Sequence, residues 1–402
     1  MSTPRVVFIL SRFPCYDEAF LLREIHAVAQ RVDTWVFSLR RSRQPVIHDA
    51  ARELLPRTLS VPYLLSRRIL RAHLWLLLRR PRRYWGALTQ LVVGNWRSPL
   101  VLAKNLVFFP KAAWLAHWAL ANGVTHLHAG WATYPASAAL VAGAIAEVPF
   151  SFSGHAHDIY LDTTHLAEKL RRAVFATTCT VANQEYLRRL LPDCPETRVV
   201  LVHHGVRLAA FATVARSRRP LPLLSVGTLN PHKGFEYLID ALARLQAEGL
   251  DFRCTIVGGG PLESALHQRV ARAGLDGRVT LTGALAQADV LLHYAVSSVC
   301  VLMAQPEWHW GIPNVIVEAL AARSAVITTR FGSVEELIKN GETGLLVPPR
   351  DPEALAAAIR RLADDEALRA RLAEAGHAIV ERDFDLDRGV DFYVRRFQGS
   401  PA

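Results

Sequence analysis

Cysteine is scarce and scattered in this chain. The five residues, Cys15, Cys179, Cys194, Cys254 and Cys300, include no C-x-x-C pair, which argues against a disulfide framework and against a cysteine-rich zinc site. A reducing cytosol suits such usage. The first residues, Met-Ser-Thr-Pro-Arg and the short apolar run 6–10, lack the length and the small-residue cleavage site of a secretory leader, so no export is expected. Repeats and low-complexity tracts are also missing, and 23 glycines and 22 prolines in 402 residues fit neither a fibrous nor a disordered chain. Residues 112–146 contain no Lys, Arg, Asp or Glu, but Asn122, His126, His128, Pro135 and several glycines interrupt them. That stretch reads as a short helix, a buried strand and an Ala-rich helix rather than a membrane span.

The most informative absence is of acid, since no Asp or Glu occurs between Glu53 and Glu147. The same segment holds eleven cations: Arg57, Arg67, Arg68, Arg71, Arg79, Arg80, Arg82, Arg83, Arg97, Lys104 and Lys111. They account for the net charge of +11, leaving the rest of the chain neutral overall. Trp75, Trp85, Trp96, Trp114 and Trp118 lie among them, beside leucine runs. Basic residues next to interfacial aromatics suit an anionic membrane surface, so residues 57–111 are expected to face one. A solvated basic face with its apolar residues packed inward has the same composition. No helix-turn-helix, zinc-finger or RNA-binding signature accompanies the charge, and no nucleic-acid partner is expected.

With 51% hydrophobic residues and 402 positions, the chain is long enough for two domains. Apolar runs alternate with helical patterns from the start: strand 6–10, polar loop 11–17, helix 18–30, strand 34–39, helices in the basic region, then strands at 126–129, 150–152, 174–179 and 199–202. Residues 216–222 have the composition of a linker. The alternation then restarts, with strands at 223–226, 252–257, 279–281, 298–302, 325–328 and 345–347, and helices at 235–246, 262–273 and 314–322. A helical tail follows Pro352. The pattern predicts an α/β chain of two doubly wound, Rossmann-like domains, 1–215 and 216–384, with a terminal helix in 385–402.

Several strand ends carry candidate chemistry. Val257-Gly258-Gly259-Gly260-Pro261 joins a strand to a helix, where glycines admit an anion close to the backbone; a glycine turn that merely reverses the chain looks the same. Thr228-Leu229-Asn230-Pro231-His232-Lys233-Gly234 sets Lys233 near the carboxyl edge of the second sheet. Gly311-Ile312-Pro313-Asn314 opens a helix whose first N–H groups suit a diphosphate, with Glu318 about one turn further in, able to accept hydrogen bonds from ribose hydroxyls. In the first half, Ser153-Gly154-His155-Ala156-His157-Asp158 follows a strand. Its histidines beside a carboxylate also raise zinc, although no third ligand is near in sequence.

In order along the chain, these stretches resemble the retaining GT-B glycosyltransferases of glycosyltransferase family four, especially the exopolysaccharide and colanic-acid type. The resemblance covers nearly the whole chain. It rests on Ser11-Arg12-Phe13-Pro14 with Phe20-Leu21-Leu22-Arg23-Glu24-Ile25, on His126-Leu127-His128, on residues 149–160 around His155, on Ser225-Val226-Gly227-Thr228 with Lys233-Gly234, on residues 256–262, and on residues 311–320. It implies two domains facing across a cleft, a last helix that crosses back to the first domain, and a hexosyl group moved with retention from a nucleotide diphosphate sugar to a lipid-linked or growing saccharide. By the same resemblance His155, Lys233 and Glu318 are catalytic. Thr228, Gly259, Trp310, Gly311, Ile312 and Asn314 would bind the donor, and Arg12, Glu18 and Asp158 would line the acceptor side. No cofactor and no metal are implied beyond the sugar nucleotide itself. The expected location is the cytoplasm, at the inner face of the cell membrane.

Two positions depart from the family pattern. The paired glutamates of the family are eight positions apart, and eight before Glu318 stands Trp310; Glu307 is out of register. Thr228 stands where many members carry Arg, which leaves Lys233 as the matching cation. A catalytically degenerate, nucleotide-binding scaffold at a membrane surface is therefore the alternative, with a nucleotide-sugar epimerase of the same fold behind it.

Overall fold

The computed structural model describes residues 4–15, 18–42, 48–62, 66–161, 163–193, 195–211, 214, 219–308 and 311–399. The chain divides into two compact units, Met1–His203 with Asp387–Ala402, and His204–Leu386. In the first unit the elements run β1 (Arg5–Phe13), α1 (Ala19–Ala29), β2 (Asp33–Arg41), α2 (Asp49–Leu54), β3 (Thr58–Leu59), α3 (Arg67–Arg79), α4 (Pro81–Asn95), α5 (Pro99–Ala121), β4 (His126–Ala129), α6 (Tyr134–Ala146), β5 (Phe150–Gly154), α7 (His157–Tyr160), α8 (Leu166–Arg172), β6 (Ala176–Thr178), α9 (Val181–Arg189) and β7 (Val199–Leu201). The second unit continues with β8 (Leu221–Val226), α10 (Phe235–Ala247), β9 (Phe252–Val257), α11 (Glu263–Arg272), β10 (Val279–Leu281), α12 (Gln287–Val296), β11 (Val299–Leu302), α13 (Asn314–Ala321), β12 (Ala325–Thr329), β13 (Leu345–Val347), α14 (Pro352–Asp364) and α15 (Glu366–Asp383). The last helix, α16 (Leu386–Phe397), returns the chain to the first unit from Asp387 onward.

The first sheet has seven parallel strands in the order β3-β2-β1-β4-β5-β6-β7, and the second has six in the order β10-β9-β8-β11-β12-β13. Parallel strands need crossovers, and the intervening helices cover both faces, which is why strands such as Val6-Val7-Phe8-Ile9-Leu10 are apolar at every position and buried throughout. Most of the expected elements are present within a residue or two. The helix expected near residue 112 is the end of a much longer one, α5, because Pro110 within it does not end it. Positions 216–218 of the expected linker lie outside the described residues, while Leu221 and Pro222 already belong to β8. A proline is accommodated there near the beginning of the strand, paired with Arg253 and accepting from Ser298 N–H at 2.9 Å. Among the described residues, no helix is long and apolar enough to cross a membrane.

The basic segment forms α3, α4 and α5. The first two bury a narrow stripe, Ile69, Ala72 and Leu76 on α3 and Tyr84, Ala87 and Leu91 on α4, whereas α5 is buried on every side from Lys111 to Ala116. Other large apolar residues stay outside, with Leu70 and Leu74 each 59% exposed, Leu78 72%, Trp85 56%, Val93 63% and Trp96 64%. The cations are not all alike, since Arg80 and Arg83 reach Glu147 at 2.7 and 2.6 Å.

A polar ladder crosses the interior of the first sheet. His126 and His128 of β4, Ser151 and Ser153 of β5 and Thr177 of β6 share one face: His126 Nε2 and His128 Nδ1 meet Ser151 Oγ at 2.7 and 2.8 Å, and His128 Nε2 meets Ser153 Oγ at 3.0 Å. Tyr393 of α16 closes it, its hydroxyl 2.9 Å from Thr177 Oγ1 and 3.2 Å from Ser153 Oγ. Phe397, one turn on, packs on His126 with ring centroids 4.9 Å apart. Burial pushes the pKa of His126 down to about 3 and that of His128 well down, so both are neutral rungs. The Tyr393 hydroxyl also reaches Glu24 of α1, whose carboxyl is buried and raised by that burial to about 8.

Candidate active site

In the first unit, β5 ends at Gly154 and the chain turns sharply into α7. The turn is held by Asp158: Oδ1 accepts the N–H groups of His155 and Ala156 at 2.9 and 3.0 Å, and Oδ2 accepts that of Ala132 at 2.8 Å. Asp158 is 4% exposed. Its two oxygens serve the loop backbone, which leaves little of the carboxylate for zinc or for an acceptor. His155 is buried too, and its Nε2–H donates to the Gly130 carbonyl at 2.9 Å, placing the proton of the neutral ring on Nε2. Burial lowers its pKa, partly offset by the Asp158 charge and the Gly130 bond. The ring sits edge-on against Trp131 at 4.6 Å and Phe20 at 5.3 Å. Asn183 donates to the His155 carbonyl and accepts from Tyr160 OH at 2.8 Å.

Phe20 belongs to the first turn of α1, so this histidine stands beside the segment that also carries Glu18. Glu18 precedes α1 and its N–H donates to Cys15 O at 3.4 Å, while Arg12, exposed near the end of β1, points a guanidinium nitrogen at Cys15 Sγ, 3.4 Å away. Sequence reasoning missed Trp131, whose buried Nε1 has no hydrogen-bond partner among the described residues. Its signal was present: Gly130-Trp131 directly follows the β4 strand, at the sheet edge where α/β ligands bind.

In the second unit three loops converge at the carboxyl ends of β8, β9 and β11. Gly258 has φ +147°, and a Cβ there would lie 1.9 Å from Gly227 O, so only glycine lets the β9 loop close on the β8 loop. Leu229 N–H donates to Gly259 O, and Leu262 N–H to Leu229 O, both at 3.0 Å. Thr228 therefore stands on a backbone clamped to the glycine loop. The Lys233 aliphatic chain passes 3.7 Å from where a Cβ of Gly227 would be, and Gly234, at φ +64°, comes so near Met303 O that a Cβ would sit 2.2 Å from it. The clamp is completed by Gln305 N–H donating to His232 O at 2.9 Å and by the His232 and Trp308 rings, 4.3 Å apart. The loops carrying Thr228, Lys233 and Gly259 are thus joined to the one leading into α13.

That helix begins at Asn314 with no side-chain cap and no acid in its first turn; Ile316 N–H donates to Pro313 O at 3.0 Å, and the N–H groups of Asn314 and Val315 stand at its positive end. Gly311 is open on the side where a Cβ would project, Ile312 packs on the core, and the buried Asn314 Oδ1 has no partner among the described residues. Glu318, one turn in, is 6% exposed, and after burial itself its charge is what raises the Cys300 thiol of β11 to about 12. Glu307 instead faces away to Arg350 at 2.8 Å. Trp310 lies outside the described residues.

Residues 221–365 match the family described as Glycosyl transferases group 1. The alpha-D-kanosaminyltransferase of Streptomyces kanamyceticus is 35% identical over 174 residues, 43% of this chain and 44% of that protein. The lipopolysaccharide core biosynthesis glycosyltransferase LpsE of Rhizobium meliloti is 29% identical over 231 residues, 56% of this chain and 65% of its own length. The chain thus spans about half to two thirds of the length of these curated relatives. Among solved structures, Anabaena Alr3699/HepE in complex with UDP superposes with a TM-score of 0.69 over 98% of this chain and 100% of that one, at 19% identity. At that identity the likeness speaks to fold, and the fold is GT-B.

Proposed function

Since residues 221–365 belong to the group 1 glycosyl transferases, we propose that this chain transfers a hexosyl group, with retention, from a nucleotide diphosphate sugar to a lipid-linked or growing saccharide in cell-surface polysaccharide biosynthesis. The observation that carries the reading is the uncapped start of α13, joined through backbone and ring contacts to the loop bearing Lys233.

In the reaction the bond from the anomeric carbon to the diphosphate oxygen breaks, and the acceptor hydroxyl bonds to that carbon on the same face while its proton passes to the departing diphosphate oxygen. The sugar passes through an oxocarbenium-like state while negative charge builds on the diphosphate. Lys233 and the α13 N–H groups, fixed beforehand, stabilise that charge without reorganising. Glu318 accepts hydrogen bonds from ribose hydroxyls. Neutral His155, with its proton on Nε2, sits beside the donor sugar and orients or polarises it. Arg12 and Glu18 belong to the acceptor side, and Asp158 serves it by shaping the His155 loop. The outward apolar and basic residues of α3 and α4 rest on an anionic membrane at its cytoplasmic face, where a lipid-linked acceptor is found.

The HepE structure is a complex with UDP, so uridine nucleotides head the panel. Purified chain is tested for binding and for turnover of a set of nucleotide sugars, with product anomers read by NMR. Binding plus transfer with retained configuration supports the reading. Inversion overturns the retaining mechanism, and tight nucleotide binding with no transfer to any acceptor points to the degenerate scaffold.

A further inference from the structure

The carboxyl end of the first sheet gathers cations that the reaction above does not use. β2 finishes with Arg40 and Arg41, both exposed and in register with Arg12 and Phe13 of β1. α5 passes this edge with Lys104 and Lys111, two turns apart and so on the same side of the helix. Lys111 is only 2% exposed, yet its Nζ reaches the edge and donates to Leu39 O at 2.5 Å. The charges are held apart on aromatic supports. Arg40 Cζ lies 5.7 Å from the Phe108 ring centroid, Phe108 meets Tyr134 at 5.5 Å, and Lys104 Nζ lies 5.9 Å from the Tyr134 ring.

Among the described residues, Arg40, Arg41 and Lys104 have no carboxylate partner, and the sequence has no acid between Glu53 and Glu147. Gathering like charges in this way costs free energy, and Lys111 registers the strain. Burial, then the charges of Arg41 and Arg40, depress its pKa to about 8. A compact polyanion removes that repulsion, and a carboxyl edge of a parallel sheet is where such a ligand binds. The same helix supplies the second half of the recognition. Leu100 and Val107 of α5 lie on the Lys104 side of the helix and are 67 and 48% exposed, so an apolar chain leaving the cations has a surface to follow.

We propose that Arg40, Arg41, Lys104 and Lys111 form a diphosphate site that holds a lipid-linked acceptor by its headgroup, with the lipid chain lying along the exposed apolar residues of α5. The proposal rests on the glycosyltransferase reading for its biological sense, but binding tests it independently of turnover. Farnesyl diphosphate, farnesyl monophosphate and UDP are titrated against the full chain by calorimetry, and vesicles of phosphatidylglycerol serve as the lipid-headgroup arm. The wild-type chain binds farnesyl diphosphate at least ten-fold more tightly than the monophosphate, and UDP does not displace it. The double variant Arg40→Gln with Arg41→Gln loses ten-fold or more of that affinity while keeping its UDP affinity. Lys104→Gln loses less, and its remoteness from the sheet core guards against a folding artefact.

Unchanged farnesyl diphosphate affinity in the double variant overturns the site, as does displacement by UDP, which would put the lipid in the second unit. Equal losses for phosphatidylglycerol vesicles and farnesyl diphosphate overturn the diphosphate assignment in favour of general headgroup contact. Failure of the wild-type chain to bind UDP counts against the glycosyltransferase reading instead, and leaves the arginine dependence of farnesyl diphosphate binding to be judged by itself.

Discussion

Glu24→Gln isolates a carboxyl that the first unit buries against α16. Glu24 is 7% exposed, one of its oxygens has no partner among the described residues, and burial lifts it from the ordinary 4.5 to about 8, with the Tyr393 hydroxyl bond acting weakly the other way. Between those two values the folded chain holds a proton that the unfolded chain has released, so stability falls as pH rises through that window. The slope is about 1.4 kcal/mol per pH unit, or roughly 2–3 kcal/mol between about pH 5.5 and 7.5. Set against a domain stability of about 5–15 kcal/mol, that is a measurable share. The glutamine has the same shape and no proton to lose. Tyr393, raised well above its usual range, and the neutral His126 and His128 are common to both proteins, so their contributions cancel in the difference. Urea unfolding of both full-length proteins across this range is the assay, with equal m-values as the condition for comparison. The expected result is a stability difference that moves toward the variant by about 1.4 kcal/mol per unit of rising pH. A difference that stays constant with pH would refute the reasoning and mean that Glu24 is ionised in the fold.

Lys233→Ala and Glu318→Gln should each weaken UDP binding by about 1.5–3 kcal/mol, the range for a charge-assisted hydrogen bond, while circular dichroism stays native; calorimetry reads the loss. Neutralising Arg67, Arg71, Arg79 and Arg82 together should release the chain from anionic liposomes in flotation, at about 1 kcal/mol per charge, whereas changing Arg80 and Arg83, which already face Glu147, should release it less. Gly258→Ala drives a methyl into Gly227 O and should cost more stability than Gly86→Ala, where nothing lies within 4 Å; thermal melts of the two variants compare them.

Periodicity made the fold legible because both sheets are parallel and buried: β4 and β9, for example, lie where unbroken apolar or mixed runs meet turn residues. β3, only two residues long, and α12, whose Gln287 and Asp289 open a helix with no strong apolar stripe, gave no such signal. The second-unit motifs were readable because glycines at enforced backbone contacts and an uncapped helix start leave marks in the sequence. His155 was readable as a position but not as an environment. That Asp158 faces its own loop, and that Trp131 and Phe20 flank the imidazole, depends on chain segments more than 20 residues apart closing on one another. Arg40 and Arg41 were missed because only the register of β2 against β1 and the course of α5 bring them beside Lys111.

The return of α16 to the first unit makes that unit discontinuous in sequence, and synthesis from the N-terminus turns this into an order of events. When His203 leaves the ribosome, the face carrying Phe8, His126 and Phe175 still lacks Val390, Tyr393, Val394 and Phe397, and it stays uncovered until the whole of His204–Leu386 has been made. The inserted unit, continuous in sequence, can close first. The first unit must wait with an apolar and histidine-rich face open, a period during which a nascent chain is exposed to holding chaperones. A chain that stops before the last sixteen residues has no means of ending that wait.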